Sequence, residues 1–372
     1  MMGEEERPGG PGFESPRAHH TVPTFLACYL CELFVGLLGF GVWCTDRLLA
    51  AVLYGSYTIR LERRAIPRPP SGWALIKTIA VGICGTDKAF YTGSYKPPKL
   101  PLVPGHEVVG IVVGGPYDLV GRVVVSEINF ACGRCRYCRD GLYTHCPYRQ
   151  TLGISFDGGM AEYFIAPISA LHLADNLDPL IATQVEPLAA LISMLRVARL
   201  EPRASIAILG SGNLALLSLQ LLRVYGFEPT LIVRKDSPKI QYVEKLGAKY
   251  ISVDEIVKEK QTFDVVVEVT GSPTGLELAI KLVKPRGKIL AKSTHGKPCT
   301  IDITSLVVKE ASIIGTRCGN WDDFELAIKL LEAGKVKPII TSTYTLHQAR
   351  EAFERALQRD QVKVVVRVAE EV

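Results

Sequence analysis

Residues 205–215 of the 372-residue chain read SIAILGSGNLA, and this stretch decides the fold. The apolar run 205–209 predicts a buried strand, and the apolar spacing of 213–225 predicts a helix. Between them, G-S-G-N-L-A matches the pattern G-x-G-x-x-G/A in the strand–turn–helix context that gives it meaning. The first glycine makes a tight turn, and the second lets the backbone approach a pyrophosphate near the free N–H groups of the helix. We therefore expect a dinucleotide to bind at Gly210, Gly212, Asn213 and Leu214.

Strands and helices alternate along the chain after this turn. Further strands are predicted at 229–233, 250–252, 264–269, 288–290 and 312–314. With 205–209 they give six short strands separated by helical patterns, which is typical of a doubly wound parallel sheet.

The region before the turn has a different pattern. Segments rich in Val and Ile predict strands at 50–54, 57–61, 74–79, 108–113 and 122–125, joined by loops that carry Cys and His. The predicted fold class is therefore α/β, with a β-rich domain beside the doubly wound parallel sheet.

The residues after the strand 229–233 indicate which dinucleotide is bound. An acidic side chain about 20 residues past the glycine turn usually binds the ribose 2′-OH of NAD. Arg234 and Lys235 stand there instead, and two cations favour the 2′-phosphate of NADP. The alternative is that they form a solvated surface pair and that Asp236 binds the ribose of NAD.

Four cysteines crowd into one short segment. Cys132, Cys135, Cys138 and Cys146 form the pattern C-x2-C-x2-C-x7-C. Four thiolates satisfy tetrahedral zinc in the closed coordination of a structural site, although an iron–sulfur cluster uses similar spacing. We predict a structural zinc ion that stabilises the fold and performs no chemistry.

Three further motifs carry the ligand types of a catalytic zinc site. They are GICGTD with Cys84, GHE with His106 and Glu107, and EPLA with Glu186. A thiolate, an imidazole and carboxylates can hold zinc and leave one position open, where the metal acts as a Lewis acid on a substrate oxygen. Thr86 is a candidate acceptor for the substrate hydroxyl proton, and Asp87 is a candidate hydrogen-bond partner that orients His106.

These motifs resemble the zinc-containing medium-chain dehydrogenase/reductase (alcohol dehydrogenase) family, in the branch of the sorbitol, threonine and glucose dehydrogenases. The resemblance runs from about Ala50 to Arg367. It implies a GroES-like catalytic domain at 49–189, an inserted Rossmann domain at 190–319, and a return segment at 320–372 that completes the catalytic domain. The active site would lie in the cleft between the domains.

The resemblance also implies roles for individual residues. Catalytic zinc would be held by Cys84 and His106, with Glu107 and Glu186 contributing directly or through water. The cofactor would lie against Thr270, Gly271 and Lys292 at the ends of two later strands. One position departs from the family pattern, because Ala89 stands where many relatives carry the histidine that ends a proton relay. The relay beyond Thr86 must then use the cofactor ribose and water, or another group.

Residues 1–48 differ from the rest of the chain. Met1–His20 is rich in Gly, Pro and Glu and is predicted to be disordered. Thr24–Trp43 is an apolar run long enough to cross a membrane, but no cluster of Lys and Arg flanks it, and the acidic leading residues do not fit a signal peptide. We interpret 1–48 as upstream sequence from a start-site artefact, with a membrane anchor as the second reading and a signal peptide as the third.

Composition limits the remaining function classes. A net charge of +5 gives no case for a nucleic-acid partner, which would need a basic patch. Ten unevenly spaced cysteines do not form the disulfide framework of a small secreted domain, so we expect a reducing, cytoplasmic location.

The predicted function is hydride transfer between an alcohol or polyol and NADP by a zinc-dependent enzyme with two zinc ions per chain. The alternatives are an inactive NADP-binding protein of the same fold and the same enzyme anchored to a membrane by residues 24–43. A small-molecule substrate and a homodimer or homotetramer are the expected partners; a membrane is not.

Overall fold

The structure is a computed structural model that describes residues 47–259 and 262–369. The extension Met1–His20 and the apolar run Thr24–Trp43 lie outside the described residues. The strands are β1 (Arg47–Gly55), β2 (Thr58–Ala65), β3 (Trp73–Gly82), β4 (Glu107–Gly114), β5 (Val123–Ser126), β6 (Asn129–Phe130), β7 (Gln150–Thr151), β8 (Tyr163–Pro167), β9 (Leu171–Leu173), β10 (Ile206–Leu209), β11 (Thr230–Val233), β12 (Tyr250–Ser252), β13 (Phe263–Glu268), β14 (Val283–Ala291), β15 (Ser312–Gly315), β16 (Ser342–Thr345) and β17 (Val364–Arg367).

The helices lie mainly in the second half of the chain. They are α1 (Gly85–Thr92), α2 (Arg136–Arg139), α3 (Pro179–Ala182), α4 (Val185–Ala198), α5 (Asn213–Val224), α6 (Ile240–Lys245), α7 (Val253–Glu259), α8 (Gly275–Leu282), α9 (Ile303–Val308), α10 (Trp321–Glu332) and α11 (Ala349–Ala356).

The β-rich part is built on a seven-stranded sheet. Its order is β16-β17-β3-β4-β5-β9, and β8 also pairs with β3. The central pairs β3–β4 and β4–β5 are antiparallel, whereas β16 and β17 from the end of the chain run parallel to each other. The return segment therefore completes the sheet that the first half of the chain begins.

The other large sheet confirms the predicted doubly wound fold. Its six strands are all parallel and lie in the order β12-β11-β10-β13-β14-β15. Ile206 and Ile208 of β10 pack into one hydrophobic cluster, and Ala207 and Leu209 pack into another. Both faces of the strand are covered, which explains why its sequence is continuously apolar rather than alternating.

The chain reverses direction across this sheet between β10 and β13. From β10 it proceeds outward to β11 and β12, and it then returns to β13 on the other side. Ligands bind at such a switch point, in the crevice beyond the carboxyl ends of the strands. The glycine turn follows β10 directly and so lies at this crevice.

Helix α4 connects the two sheets and forms part of their shared core. Asp178 caps the short helix before it, since its Oδ1 accepts hydrogen bonds from the N–H groups of Leu180 and Ile181 at 2.9 and 3.2 Å. Pro179–Ala198 is the one segment among the described residues that is long and apolar enough to cross a membrane, and 78% of it is buried inside the fold. Helix α4 is continuous across residue 189, so no break in secondary structure marks the domain boundary predicted there. The boundaries at 189 and 319 both stay predictions.

Candidate functional site

The glycine turn requires glycine at its first position. Gly210 has a φ of +125°, and a Cβ built there would lie 3.1 Å from the carbonyl oxygen of Val269. Gly212 precedes α5, and no side chain caps the N–H groups of its first turn. Those N–H groups and the positive end of the helix dipole are therefore available to a phosphate. The amide of Asn213 donates to Gln184 Oε1 at 2.8 Å, which fixes the start of the helix.

A cavity of about 640 Å³ lies beyond the carboxyl end of β11. It is lined by Arg234, Lys235, Asp236, Val253 and Asp254. Asp236 Oδ2 accepts a hydrogen bond from Arg359 Nη2 at 2.8 Å, and this contact lowers the pKa of Asp236. The one carboxylate that could bind an adenosine ribose from this loop is thus paired with an arginine.

Lys239 is a further cation near this cavity that the sequence did not single out. Burial is the main reason that its pKa is lowered to about 8, and repulsion by Lys88 and Arg234 adds to the effect. Its position just before a helix looks like that of any solvated lysine, so the sequence carries no signal for it.

The ends of β13 and β14 are joined by a buried carboxylate. Glu268 Oε1 accepts hydrogen bonds from the Thr270 N–H at 2.9 Å, the Thr270 hydroxyl at 2.6 Å and the Ser293 hydroxyl at 2.9 Å. The Gly271 N–H donates to the same serine oxygen at 2.8 Å. The predicted residues Thr270 and Gly271 therefore lie at the crevice, in a loop that Glu268, which the sequence analysis missed, holds in shape.

Lys292 follows β14 and directs its ammonium into the protein. The Nζ atom donates to the carbonyl oxygens of Ala190, at 2.8 Å, and Arg317. Burial lowers the pKa of this lysine to about 8, although attraction to Cys318 and Glu186 opposes the shift. The side chain thus ties α4 to the segment before α10, and its contact with a cofactor stays a prediction.

Cys84, Asp87 and His106 come together at the start of α1. Cys84 precedes the helix, and its backbone N–H donates to Asp87 Oδ2 at 2.9 Å. Asp87 Oδ1 lies 3.7 Å from His106 Nδ1, and both side chains are buried. The two side chains are therefore neighbours at a distance longer than a hydrogen bond, and the expected hydrogen bond between them stays a prediction.

The imidazole of His106 is surrounded by negative charge. Burial lowers its pKa, but attraction to Asp87, a hydrogen bond and charge interaction with Cys84, and the charge of Glu186 together raise it well above the usual value. His106 Nδ1 and Asp87 Oδ1 are both buried without a hydrogen-bond partner among the described residues. A thiol, an imidazole and carboxylates around uncompensated polar atoms are the donor set that fits a zinc ion.

Glu107 has a partner of its own. Its Oε2 atom accepts a hydrogen bond from Lys363 Nζ, which also donates to the carbonyl oxygen of Ile83 at 3.3 Å. Both charged side chains are almost fully buried. Glu186 lies in the first turn of α4, and burial raises its pKa, while attraction to His106 opposes that shift. The two candidate carboxylates therefore differ, because only Glu107 is paired with a lysine in direct contact.

The four cysteines form the tightest group of potential metal ligands in the described part of the chain. Their sulfur atoms all lie within 4.8 Å of one another. The Sγ–Sγ distances are 3.5 Å for Cys135–Cys138, 3.8 Å for Cys135–Cys146 and 4.0 Å for Cys132–Cys138. Zinc–sulfur bonds of about 2.3 Å in a tetrahedron place sulfur atoms about 3.8 Å apart, so the residues fit a zinc ion.

The pKa values of the thiols in this cysteine lobe (residues 132–146) shift in opposite directions, and burial together with hydrogen bonds to Cys135 and Cys146 raises the pKa of Cys138 to about 12. Backbone N–H groups of Arg134 and Cys135 lower the pKa of Cys132 to about 6. Tyr143 of the lobe donates to Glu127 at 2.9 Å, and its hydroxyl accepts a hydrogen bond from the Trp321 N–H at 2.6 Å. The lobe is thus attached both to the end of β5 and to the start of α10.

Comparison with known proteins identifies relatives of this chain. Residues 70–176 match the family model "Alcohol dehydrogenase GroES-like domain", and residues 187–368 match "Glucose dehydrogenase C-terminus". The D-arabitol-phosphate dehydrogenase of Enterococcus avium is 31% identical over 81% of this chain and 92% of its own length. The sorbitol dehydrogenase of Bacillus subtilis is 30% identical over 84% of this chain and 94% of its own length.

A solved structure extends the similarity to three dimensions. A protein of Sinorhizobium meliloti, described as a candidate zinc-binding dehydrogenase and bound to NADP, superposes with a TM-score of 0.78. It is 26% identical, and the match covers 87% of this chain and all of that one.

Proposed function

The chain belongs to the zinc-containing medium-chain dehydrogenase/reductase family, in the sorbitol and threonine dehydrogenase branch, and on that premise we propose how it works. It is an NAD(P)-linked alcohol or polyol dehydrogenase. The proposed reaction is reversible hydride transfer between the carbon of a secondary alcohol, polyol or amino alcohol and NADP. The observation that carries this proposal is the group of partly buried Cys84 with buried His106 and Glu186, in which His106 interacts electrostatically with the other two and Glu186 interacts with Lys292 after β14.

Cys84, His106 and Glu186 would hold the catalytic zinc ion. When bound, zinc supplies a Lewis acid that stabilises negative charge on the substrate oxygen, and NADP supplies the hydride acceptor. Asp87 would act through His106, because its buried carboxylate lies 3.7 Å from the imidazole Nδ1. Glu107 serves as a positioning residue, since Lys363 already neutralises its charge. The direct carboxylate ligand in this proposal is Glu186.

Thr86 would accept the proton that leaves the substrate hydroxyl. It is the second residue of α1, two positions from Cys84, and it is only partly buried. Ala89 offers no group for a further transfer, so the proton would have to leave Thr86 by another route, with the cofactor ribose and water or another protein group as the candidates. The balance is one hydride to the nicotinamide and one proton to solvent for each alcohol oxidised.

NADP is the proposed cofactor because Arg234 and Lys235 line the cavity after β11. Asp236, the alternative partner for the ribose, already forms an ion pair with Arg359. The four thiolates of the cysteine lobe would hold a second, structural zinc ion. Those thiolates need a reducing compartment, which supports a cytoplasmic location.

A homodimer or homotetramer is the proposed assembly. Strand β15 lies at the edge of the parallel sheet, and the adjacent α9 exposes Ile303, Val307 and Val308 at 58%, 67% and 77%. An unpaired edge beside an apolar surface favours association with a second copy. Light scattering tests this assembly: a monomer at micromolar concentration would exclude it.

The proposed reaction is tested by a substrate screen with the full chain. Sugars, polyols, threonine and simple alcohols are offered with NADP and, separately, with NAD, and formation of reduced nicotinamide is followed. We expect turnover with at least one secondary alcohol or polyol and a higher kcat/KM with NADP. Preference for NAD would reject the cofactor assignment, and no turnover across the panel would reject the proposed substrate class.

A further inference from the structure

Two lysines of the parallel sheet contact helix α4 from one side. Lys288 lies in β14, and its Nζ atom donates hydrogen bonds to the carbonyl oxygens of Ala198 and Arg199, both at 2.9 Å. Lys292 follows four positions later and donates to the carbonyl oxygen of Ala190 at 2.8 Å. Four residues of a strand span about 13 Å, and the eight residues from Ala190 to Ala198 span about 12 Å of helix. The spacing of the two lysines along the strand therefore matches the spacing of their acceptors along α4.

The two contacts differ in what they do for the helix. The last carbonyl groups of a helix have no partner within it, so Lys288 supplies a donor to acceptors that need one. The carbonyl of Ala190 lies inside α4, where the helix itself supplies the donor. Lys292 is 8% exposed, and burying an ammonium costs free energy that an apolar side chain would not. The need to satisfy the helix therefore does not account for Lys292.

The turn that Lys292 contacts carries Glu186. Glu186 and Ala190 are four residues apart, so they lie on the same face of α4, one turn from each other. Gln184, which precedes the helix, does not cap its first turn with its side chain. The turn 186–190 is therefore held by contacts with other parts of the fold, and the positive charge of Lys292 also attracts Glu186.

Lys292 joins this turn to the segment 317–319, which lies just before α10. Its Nζ atom also donates to the carbonyl oxygen of Arg317. The Arg317 guanidinium donates to Asn129 Oδ1 at 2.8 Å and so attaches the segment to β6 of the β-rich part. The ammonium therefore links a turn of α4 to a segment that is itself held on its other side.

Gly319 brings the same segment into contact with the helix backbone. A Cβ built on Gly319 would lie 2.7 Å from the Cβ of Ala189 and 2.9 Å from its carbonyl carbon and oxygen. Any larger residue would push the segment and the helix apart, because close-packed interiors do not accommodate an added methyl group without a shift. Resting on the proposed function, we propose that Lys292 is a positioning residue that fixes the turn 186–190 against this segment and thereby places Glu186 in the candidate catalytic metal centre.

The test measures the affinity of the full-length protein for the catalytic zinc ion by competition with a chelator. That ion is identified as the one absent from Cys84→Ala. We expect Lys292→Met to raise its Kd by about tenfold and to lower kcat, because the carboxylate ligand is no longer held in place. Lys288→Met is the matched control, since it removes the same type of contact from the other end of the same helix. It should leave the zinc Kd unchanged, although both variants lower the midpoint of urea denaturation.

NADPH affinity, measured by nucleotide fluorescence, distinguishes positioning of the metal ligand from direct contact with the cofactor. We expect Lys292→Met to bind NADPH as tightly as the parent protein does. A loss of NADPH affinity with an unchanged zinc Kd would overturn the proposal and assign Lys292 to the cofactor. Equal increases of the zinc Kd in Lys292→Met and Lys288→Met would also overturn it, because any loosening of α4 would then have the same effect.

Gly319→Ala is the second variant, used if Lys292→Met does not fold. It presses a methyl group on Ala189 and disturbs the same turn without changing any charge. We expect its zinc Kd to rise as well, and an unchanged value would overturn the proposal. A parent protein without a zinc ion that Cys84→Ala eliminates would overturn the proposed function itself, whereas a parent zinc ion that Lys292→Met binds equally well overturns only the role of Lys292.

Discussion

Lys363 and Glu107 form a buried ion pair between positions 256 residues apart in the chain. Removing one partner of such a pair leaves an uncompensated charge in the interior, which costs more than the pair itself contributes. We expect Lys363→Met to lower the free energy of unfolding by about 3–5 kcal/mol, measured by urea denaturation. The exposed substitution Lys77→Met provides a matched control and should change stability by less than about 0.5 kcal/mol.

A double variant separates charge from packing at this pair. Glu107→Gln together with Lys363→Met should recover a large part of the lost stability, because no charge then remains buried alone. Equal destabilisation in the single and double variants would contradict the buried ion pair.

In the proposed function, cofactor choice depends on Arg234. Arg234→Gln would remove the charged donor that we propose for the 2′-phosphate, a group that NAD lacks. We expect kcat/KM with NADP to fall by about tenfold or more and kcat/KM with NAD to change by less than about twofold. Lys329→Gln, an exposed change in the last turn of α10, should affect neither. An equal decrease of kcat/KM with both cofactors would show that Arg234 does not bind the 2′-phosphate selectively.

At the scale of elements, the cysteine lobe has almost no apolar core of its own. Its helix α2 has no buried residue, and apart from Cys146 no residue of the lobe belongs to the buried hydrophobic core. Metal ligation would therefore supply the folding energy that packing does not. Through Tyr143 the lobe forms hydrogen bonds with Glu127 and with the start of α10. Disorder of the lobe would therefore also remove these two hydrogen bonds.

We expect Cys135→Ser to remove one zinc ion per chain and to lower Tm. A loss of about 3 kcal/mol corresponds to a decrease of roughly 4 °C in a chain of this size. Metal analysis and calorimetry measure the two effects. Cys299→Ser, at an exposed cysteine outside the lobe, is the control. A Cys135→Ser protein with full zinc content and unchanged Tm would contradict a structural metal site.

At the scale of the whole molecule, the sequence predicted features whose parts lie close together in the chain. The glycine turn, the six parallel strands and the four-cysteine group are all confirmed as structural features, because each depends on local spacing or periodicity. Helix α1 was not predicted, since the flanking glycines of GICGTD indicate a loop. The helix begins there because Cys84 and Asp87 cap it.

Contacts between segments far apart in the chain could not be predicted from the sequence. Lys363 sits in an otherwise apolar run, and only the pairing of β17 with β3 brings it to Glu107. Lys292 was expected at the cofactor, but the direction of a long side chain depends on carbonyl oxygens supplied by α4 and by the segment before α10. Tertiary structure decides such partners, and spacing along one segment does not.

The central claim is that Cys84, His106 and Glu186 form a catalytic metal centre, and Cys84→Ala tests it most directly. Zinc content, NADPH affinity and alcohol oxidation are measured on the parent protein and the variant. We expect the variant to lose one zinc ion per chain and to lose activity by about a hundredfold or more, while it still binds NADPH and keeps the second zinc ion. Full activity with unchanged zinc content in Cys84→Ala would contradict the account.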